Sequence, residues 1–333
     1  MADLAEIDRR REYTRQRWEA LALLASSEFD QLDLASRTCI YVTGSMAREE
    51  ATEGSDLDLF VVDELTSKEE RLNYVETSQL VARLDNVRRD GDFRPFSRGG
   101  EFIRTLSMQD LVRLIGDPQD DARNLFTARM LLLINSKPLT NEAAHRDAWE
   151  GVLNRYWAPQ DPQADFRPVM LLNDIRRWWG VLCLNFERFN PFTVVDAYTA
   201  HAPAERRVAN LKLRFARVMA AYTPVVGLLD ISSPEGIVPR QGCEIVLRRS
   251  PVARLEHLTT TDGRAAEAAA TVLEAYDEYL TFMNKSKDDL FRLVSRDDVW
   301  KSEKAKAYSF HEKFVSLYQA VGHNKTLFEY SIV

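Results

Sequence analysis

Cysteine is scarce in this 333-residue chain, and the three that occur form no metal-binding or disulfide pattern. Cys39, Cys183 and Cys243 lie far apart in apolar surroundings and no Cys-x-x-Cys motif is present, so neither a zinc site nor a disulfide framework is predicted. The five histidines do not cluster, so the sequence shows no His-based metal centre and no Ser-His catalysis. This usage fits a reducing cytoplasm.

Long apolar runs and an excess of positive charge are absent as well. No stretch of about eighteen apolar residues occurs, and the charged N-terminal segment lacks the apolar core of a signal peptide. The formal net charge is −7, which argues against a protein that coats duplex DNA through a general positive field. We therefore expect a cytoplasmic protein that does not insert into a membrane, with nucleic acid as substrate or product rather than scaffold.

The order of strand-like and helical segments predicts the architecture. Hydrophobic residues make up 45% of the chain and charged residues 29%, which is ordinary for a globular protein of one large or two smaller domains. Strand-like segments lie mostly in residues 1–138, and helical spacing dominates afterwards. We predict an α+β catalytic domain over 1–138, then an all-helical substrate-binding domain with a C-terminal tail over 139–333, and an active site in the cleft between them.

Individual helices and strands follow from the same periodicity. The pattern predicts a first helix over residues 2–28 and a charged helix over 67–89, opened by a capping box of Ser67 and Glu70. A short strand is predicted over 101–107 and a single helix over 120–135.

The most informative stretch is residues 38–63, which read TCIYVTGSMAREEATEGSDLDLFVVD. A β-rich apolar run at 39–42 stops at Gly44-Ser45, a helix-compatible segment follows, and a second apolar run occupies 57–62. The order is therefore strand, turn, short helix, strand, with polar chemistry at both junctions.

Two aspartates open the second strand. Because strand side chains alternate between faces, Asp56 and Asp58 are expected on one face, with Leu57 and Leu59 directed into a core on the other. Neighbouring carboxylates repel unless a cation compensates them, and oxygen ligands suit Mg²⁺ or Mn²⁺. The pair is therefore predicted to bind divalent metal.

The turn at Gly44-Ser45 offers the complementary group. Glycine lets a ligand approach the backbone, serine supplies a hydroxyl, and exposed N–H groups at the start of a helix favour an anion. Together with the aspartates, these residues predict a clamp for a metal-bound nucleoside or deoxynucleoside triphosphate.

This combination resembles the DNA polymerase β-like nucleotidyltransferase superfamily, whose signature is Gly-Ser, about ten residues, then Asp-x-Asp on the next strand. Here Gly44-Ser45 precedes Asp56-Leu57-Asp58 at that spacing, and Arg48 stands where relatives often carry a helix arginine. The resemblance implies a transferase that releases pyrophosphate and uses two metal ions, with Arg48 helping to grip the triphosphate.

The superfamily also places a third acidic residue on a later strand, where it completes the metal site and can take the proton from the attacking hydroxyl. Glu101 is the best-placed candidate because it stands at the head of the predicted strand. It departs from the usual aspartate, and Asp92 is a rival.

The helical half contains two segments with polar first turns or faces. Asn210, Arg214 and Arg217 recur at helical spacing, opposite Leu211 and Phe215. The functional interpretation is a basic wall that neutralises the departing phosphates, with an asparagine bonding a base; the alternative is a solvated helix face. The residues assigned to this wall are Asn173, Arg177, Lys212 and Arg214.

The C-terminal residues 327–333, LFEYSIV, alternate apolar and polar side chains. The pattern predicts an extended tail docked on a neighbouring element, and Tyr330 on such a tether could also serve as an acceptor hydroxyl. The tail, NDIRRWWGVLC and NLKLRFAR make the chain similar to a bacterial branch that includes the nucleotidyltransferase of Hailong antiphage defence.

That resemblance implies template-independent conversion of dATP into short single-stranded DNA, begun on the C-terminal tyrosine, with the oligomer restraining a partner membrane effector. Two other classes stay open. One is transfer of AMP or UMP to a protein, a tRNA end or a small molecule. The other is a catalytically idle binding module, which the intact aspartates disfavour.

Overall fold

The structure, a computed structural model, describes residues 4–29, 37–63, 72–96, 100, 103, 105–157, 166–188, 202–261 and 263–332. The chain divides into two compact units. The N-terminal unit is Arg9–Pro162, and the C-terminal unit joins Met1–Asp8 to Gln163–Val333.

Strands and helices alternate in the first half of the chain. In order, the elements are α1 (Ala5–Phe29), β1 (Thr38–Val42), α2 (Gly44–Ala47), β2 (Leu59–Asp63), α3 (Tyr74–Asp90), β3 (Thr105–Ser107), α4 (Met108–Arg113), α5 (Pro118–Ala122), α6 (Leu125–Ile134), β4 (Lys137–Thr140) and α7 (Glu142–Trp157).

The described strands form one four-stranded sheet in the order β3-β2-β1-β4. β1 pairs antiparallel with both β2 and β4, whereas β2 and β3 are parallel. The register sets Val42 opposite Leu59 and, on the other side, opposite Lys137. The predicted domain boundary after residue 138 falls inside β4, whereas the two compact units divide between Pro162 and Gln163.

The core of the N-terminal unit lies on both faces of this sheet. On one face, buried apolar side chains from β1 and β2 pack with those of α1 and α3; the cluster includes Leu21, Phe29, Ile40, Val42, Leu59, Val61, Leu80, Leu84 and Val87. Each contributes about 1.5–3 kcal/mol by leaving water. On the other face Tyr41 is fully buried, stacks on Phe60 with ring centroids 5.4 Å apart, and donates its hydroxyl to the Ala128 carbonyl.

The start of α3 differs from the prediction. Its capping box is formed by Asn73 and Glu76, because the Asn73 side chain accepts from the Glu76 N–H and the Glu76 carboxylate accepts from the Asn73 N–H. The predicted cap, Ser67 with Glu70, lies outside the described residues, and the helix begins seven residues later than predicted, at Tyr74.

The helix predicted over 120–135 is two helices, α5 and α6. Asn124 adopts a left-handed conformation (φ 59°) that breaks the helical path. Arg129 on α6 is fully buried and donates to Asp120 on α5 and to the Tyr156 hydroxyl. Removing one member of such a buried pair costs about 3–5 kcal/mol, so the two short helices are fixed by tertiary contacts.

The C-terminal unit is helical in its described residues. Its elements are α8 (Val169–Arg188), α9 (Ala202–Lys212), a π-helical segment (Leu213–Arg217), α10 (Val218–Ile231), α11 (Arg240–Arg248), α12 (Pro251–Thr259), α13 (Arg264–Phe282), α14 (Lys287–Ser295), α15 (Asp297–Gly322) and α16 (Thr326–Ile332). The mixed sheet followed by a helical region confirms the predicted α+β class. Of the helices in the described ranges, none has both the length and the apolar character needed to cross a membrane.

The C-terminal tail is helical, which corrects the prediction of an extended segment. In α16, Leu327 and Ser331 are buried and Tyr330 is exposed. Buried positions four residues apart follow the helical repeat, not the alternation of a strand. The alternating pattern of LFEYSIV misled because seven residues are too few to separate the two periods.

Candidate functional site

The turn after β1 requires glycine. Gly44 has φ +67°, a conformation that other residues adopt only with strain. A Cβ added there would lie 3.3 Å from Asp58 Cγ and closer still to its Oδ2. The Gly44 backbone therefore packs directly against the Asp58 carboxylate, and half-buried Ser45 is the next residue.

The two aspartates keep the predicted alternation although the hydrogen-bonded strand begins only at Leu59. Leu57 and Leu59 are buried, at 4% and 9% exposure, whereas Asp56 and Asp58 are exposed. The Asp58 carbonyl accepts a hydrogen bond from the Thr43 N–H at 2.9 Å, which extends the β1–β2 pairing to the turn. Both carboxylates are therefore exposed to solvent, and that of Asp58 lies beside the Gly-Ser turn.

A cation from a later loop lies beside the first aspartate. Arg94 Nη1 is 3.8 Å from Asp56 Oδ1, and Gly54 leaves room for the same guanidinium. Phe93 anchors this loop: it is 6% exposed, its carbonyl accepts from Arg88, and Arg17 lies 4.3 Å above its ring.

The segment between turn and aspartates is held on α1. Arg10 donates to the Glu50 carbonyl, and the Thr14 hydroxyl accepts from the Ala51 N–H at 2.9 Å. Arg48, predicted to grip a triphosphate, donates through Nε to Glu50 at 2.8 Å. Buried Glu50 thus fixes Arg48 in this structure. To bind a phosphate, Arg48 would have to break its ion pair with Glu50.

Lys137 is a further cation attached to the end of β1 through its pairing with Val42. Its Nζ lies 4.1 Å from the Trp18 ring centroid. Burial lowers the pKa of Lys137, and Glu49 and Glu19 act in the opposite direction.

No described residue supplies the third carboxylate that the superfamily resemblance predicts beside Asp56 and Asp58. Glu101 lies outside the described residues. Asp92, its rival, is exposed in a left-handed turn with φ +51°. Within the described ranges, no three His, Cys, Asp or Glu side chains are grouped to hold a metal ion.

The pair itself fits a hard divalent cation. Its exposed oxygens are the ligand type that Mg²⁺ prefers, and Mg²⁺ is commonly held by one or two carboxylates completed by substrate phosphates. Arg94, 3.8 Å from Asp56, offsets part of the negative charge of the pair. Asp56 and Asp58 are therefore the residues that would hold metal.

The other predicted residues belong to the C-terminal unit. Asn173 and Arg177 are exposed on α8, and Arg177 Nη1 lies 3.9 Å from Asp174 Oδ1. Lys212 is exposed at the end of α9, and half-buried Arg214 follows in the π-helical segment. The predicted polar face there is confirmed, since Leu211, Phe215 and Val218 are buried whereas Asn210, Arg214 and Arg217 are not.

Strand, glycine turn, short helix and strand, with the exposed Asp58 carboxylate against the turn and exposed Asp56 two residues before it, form an arrangement that resembles the nucleotidyltransferase pattern. A family model agrees: residues 25–95 match the model described as a nucleotidyltransferase domain. This stretch holds β1, the turn, both aspartates and Arg94, and it supports a general nucleotidyl transfer activity. No curated protein matches the chain.

Proposed function

We propose that this protein is a metal-dependent nucleotidyltransferase that uses a nucleoside or deoxynucleoside triphosphate and releases pyrophosphate. The observation that carries the proposal is the packing of the Gly44 backbone against Asp58, with both carboxylates exposed on the same side. A side chain at position 44 would collide with that carboxylate, so glycine is the residue that allows the Asp58 oxygens to lie against the turn.

Each residue has a part in the proposed reaction. Asp56 and Asp58 would hold two Mg²⁺ or Mn²⁺ ions, which when bound neutralise phosphate charge and polarise the α-phosphate. Gly44 leaves the backbone accessible, and the Ser45 hydroxyl donates to a phosphate oxygen. The acceptor hydroxyl oxygen bonds to the α-phosphorus, the bond to the β-phosphate oxygen breaks, and pyrophosphate leaves with that electron pair. The acceptor proton passes to a carboxylate, for which we propose Glu101.

The finer proposal concerns the product. We propose template-independent synthesis of short single-stranded, deoxyadenylate-type DNA that starts on Tyr330 and serves as an antiphage signal to a membrane effector encoded nearby. Supporting it, Tyr330 is 43% exposed, so its phenol is accessible for modification.

A second candidate is transfer of AMP or UMP to a separate protein, tRNA or small-molecule acceptor. The docking of α16 favours it, because Leu327 is fully buried and the Thr326 N–H donates to the Pro234 carbonyl at 2.9 Å. A tyrosine on an anchored helix has less reach than one on a free tether.

The test combines Asp56→Asn with Asp58→Asn, which keeps shape and removes the charge that holds metal. We expect pyrophosphate release to be lost while the melting temperature stays unchanged, because both side chains are exposed. Asp147→Asn is the matched control, since Asp147 has a 61% exposed side chain on α7. Retained turnover in the double variant would refute the metal assignment.

Intact-mass analysis after incubation with each NTP or dNTP separates the two products. A ladder of nucleotide additions that Tyr330→Phe abolishes supports synthesis on the tail. Product that forms only with an added acceptor, unchanged in Tyr330→Phe, supports the second candidate.

A further inference from the structure

A row of paired cations and aromatic rings lies where α9 and the π-helical segment face α15. The Arg207 guanidinium carbon is 5.4 Å from the Trp300 ring centroid, and that of Arg214 is 4.7 Å from the Tyr308 centroid. Lys304 Nζ approaches the same tyrosine ring at 5.8 Å. We name this surface the cation–aromatic strip; its members are Arg207, Asn210, Arg214, Trp300, Lys304 and Tyr308.

The helical repeat gives the strip its spacing. Trp300, Lys304 and Tyr308 recur every four residues on α15, so they share one face, and the two rings are about 12 Å apart along the axis. Arg207 and Arg214 are seven residues apart, which is two helical turns. Each ring on α15 therefore meets a guanidinium from the facing segment.

The cations differ in how far they are already neutralised. Arg207 donates to the Val294 carbonyl and to Asp297 at 2.9 Å, so it fixes the end of α14. Arg214 donates to Asn210 Oδ1, a neutral acceptor, at 2.9 Å. Among the described residues, no carboxylate oxygen lies within 4.0 Å of a side-chain nitrogen of Arg214 or Lys304, so neither forms an ion pair there. Tyr308, between them, is 49% exposed.

We propose that the cation–aromatic strip binds a single strand of nucleic acid, with Arg214 and Lys304 on phosphates and bases stacked against the Tyr308–Arg214 pair. Unpaired bases stack on aromatic rings and on guanidinium planes while nearby cations follow the backbone. An acidic peptide would satisfy the charges but does not present an aromatic base with each negative charge, as a nucleic acid strand does. The inference deepens the proposed function, on which it rests, by assigning a surface of the C-terminal unit to the binding of an acceptor or product strand.

The test measures binding without catalysis. The full chain is titrated onto a fluorescein-labelled single-stranded oligodeoxyadenylate in EDTA, with no triphosphate, and fluorescence anisotropy is recorded. Tyr308→Leu and Lys304→Gln should each weaken binding about tenfold, which equals about 1.4 kcal/mol. The matched controls are Tyr74→Leu, at an 87% exposed tyrosine, and Lys306→Gln, whose lysine is paired with Glu303; both should bind like the unmodified chain.

Three results would overturn the proposal: equal losses in the controls, equal binding of a duplex, or competition by polyglutamate as strong as that by the single strand. The variant with both Asp56→Asn and Asp58→Asn separates the two proposals, because it should lose transfer and keep strand binding. If the unmodified chain binds the strand but transfers no nucleotide, only the proposed function fails. If it transfers nucleotide without strand binding, only the proposal that the cation–aromatic strip binds a single strand is refuted.

Discussion

Gly44 joins two requirements in one residue. Its backbone lies in the left-handed region at φ +67°, and its missing side chain leaves the space that Asp58 occupies. The first requirement concerns stability, because a non-glycine residue there costs about 1–2 kcal/mol. The second concerns chemistry, because any side chain would displace a carboxylate assigned to the metal.

These two effects can be separated by substitution. Gly116 also has positive φ, +81°, but nothing lies within 4 Å of its missing Cβ. We predict that Gly44→Ala and Gly116→Ala lose similar folding free energy, about 1–2 kcal/mol. Only Gly44→Ala should lose nucleotidyl transfer, by about 100-fold, the usual effect of misplacing a reacting group by 1 Å.

The measurements are urea denaturation for stability and pyrophosphate release for activity. Unchanged activity in Gly44→Ala would mean that the Asp58 position is unimportant for the reaction. Equal losses of activity in both variants would assign the effect to strain alone.

At the scale of elements, α16 is held at its start, middle and end. Lys325, just before it, donates to the Leu229 and Asp230 carbonyls at the end of α10, where a cation is favoured. Leu327 packs on Gly236, and Ser331 is hydrogen-bonded to Tyr318. A helix this short has little stability of its own, so these contacts determine its conformation.

Gly322 is the residue on which this docking depends. A Cβ added there would lie 2.9 Å from Phe328 Cε2 and closer to other ring atoms. We predict that Gly322→Ala forces the Phe328 ring away, at a cost of about 1–3 kcal/mol. Hydrogen exchange should then speed up at the amides of 327–332.

Gly180→Ala on α8 is the matched control, because nothing lies within 4 Å of its missing Cβ and alanine favours a helix by about 1 kcal/mol. It should leave exchange in α16 unchanged. Unaltered exchange in Gly322→Ala would show that the Phe328 contact does not hold the tail.

At the scale of the whole molecule, charge is the relevant property. The net charge is −7, so a nucleic acid strand meets no general attraction, and binding must depend on the few cations of the cation–aromatic strip. Contacts of this kind, unlike a broad basic surface, give a weak dependence on salt.

We therefore predict that the association constant K for the single strand depends only weakly on salt, as measured by the slope of log K against log salt concentration. Two phosphate contacts, from Arg214 and Lys304, correspond to a slope of about −1.4. Arg214→Gln should halve it, and Lys306→Gln should not change it. A slope several times steeper, measured by anisotropy over a salt series, would require an extended basic surface that the strip does not provide.

The sequence alone determined the local parts of this protein. The alternation of Asp56, Leu57, Asp58 and Leu59 fixed which side chains are buried, and the Gly44-Ser45 break predicted the turn. These features depend on backbone sterics and on a side-chain period of two, which act over a few residues.

Only the tertiary structure decided the long-range parts. It set Arg94 beside Asp56, Arg10 against the Glu50 carbonyl and the rings of α15 against the arginines of α9 and the π-helical segment. It also made the tail a helix, against its alternating pattern. Such contacts join residues far apart in the chain or outweigh weak local preferences, and their free energy comes from packing that no short window of sequence contains.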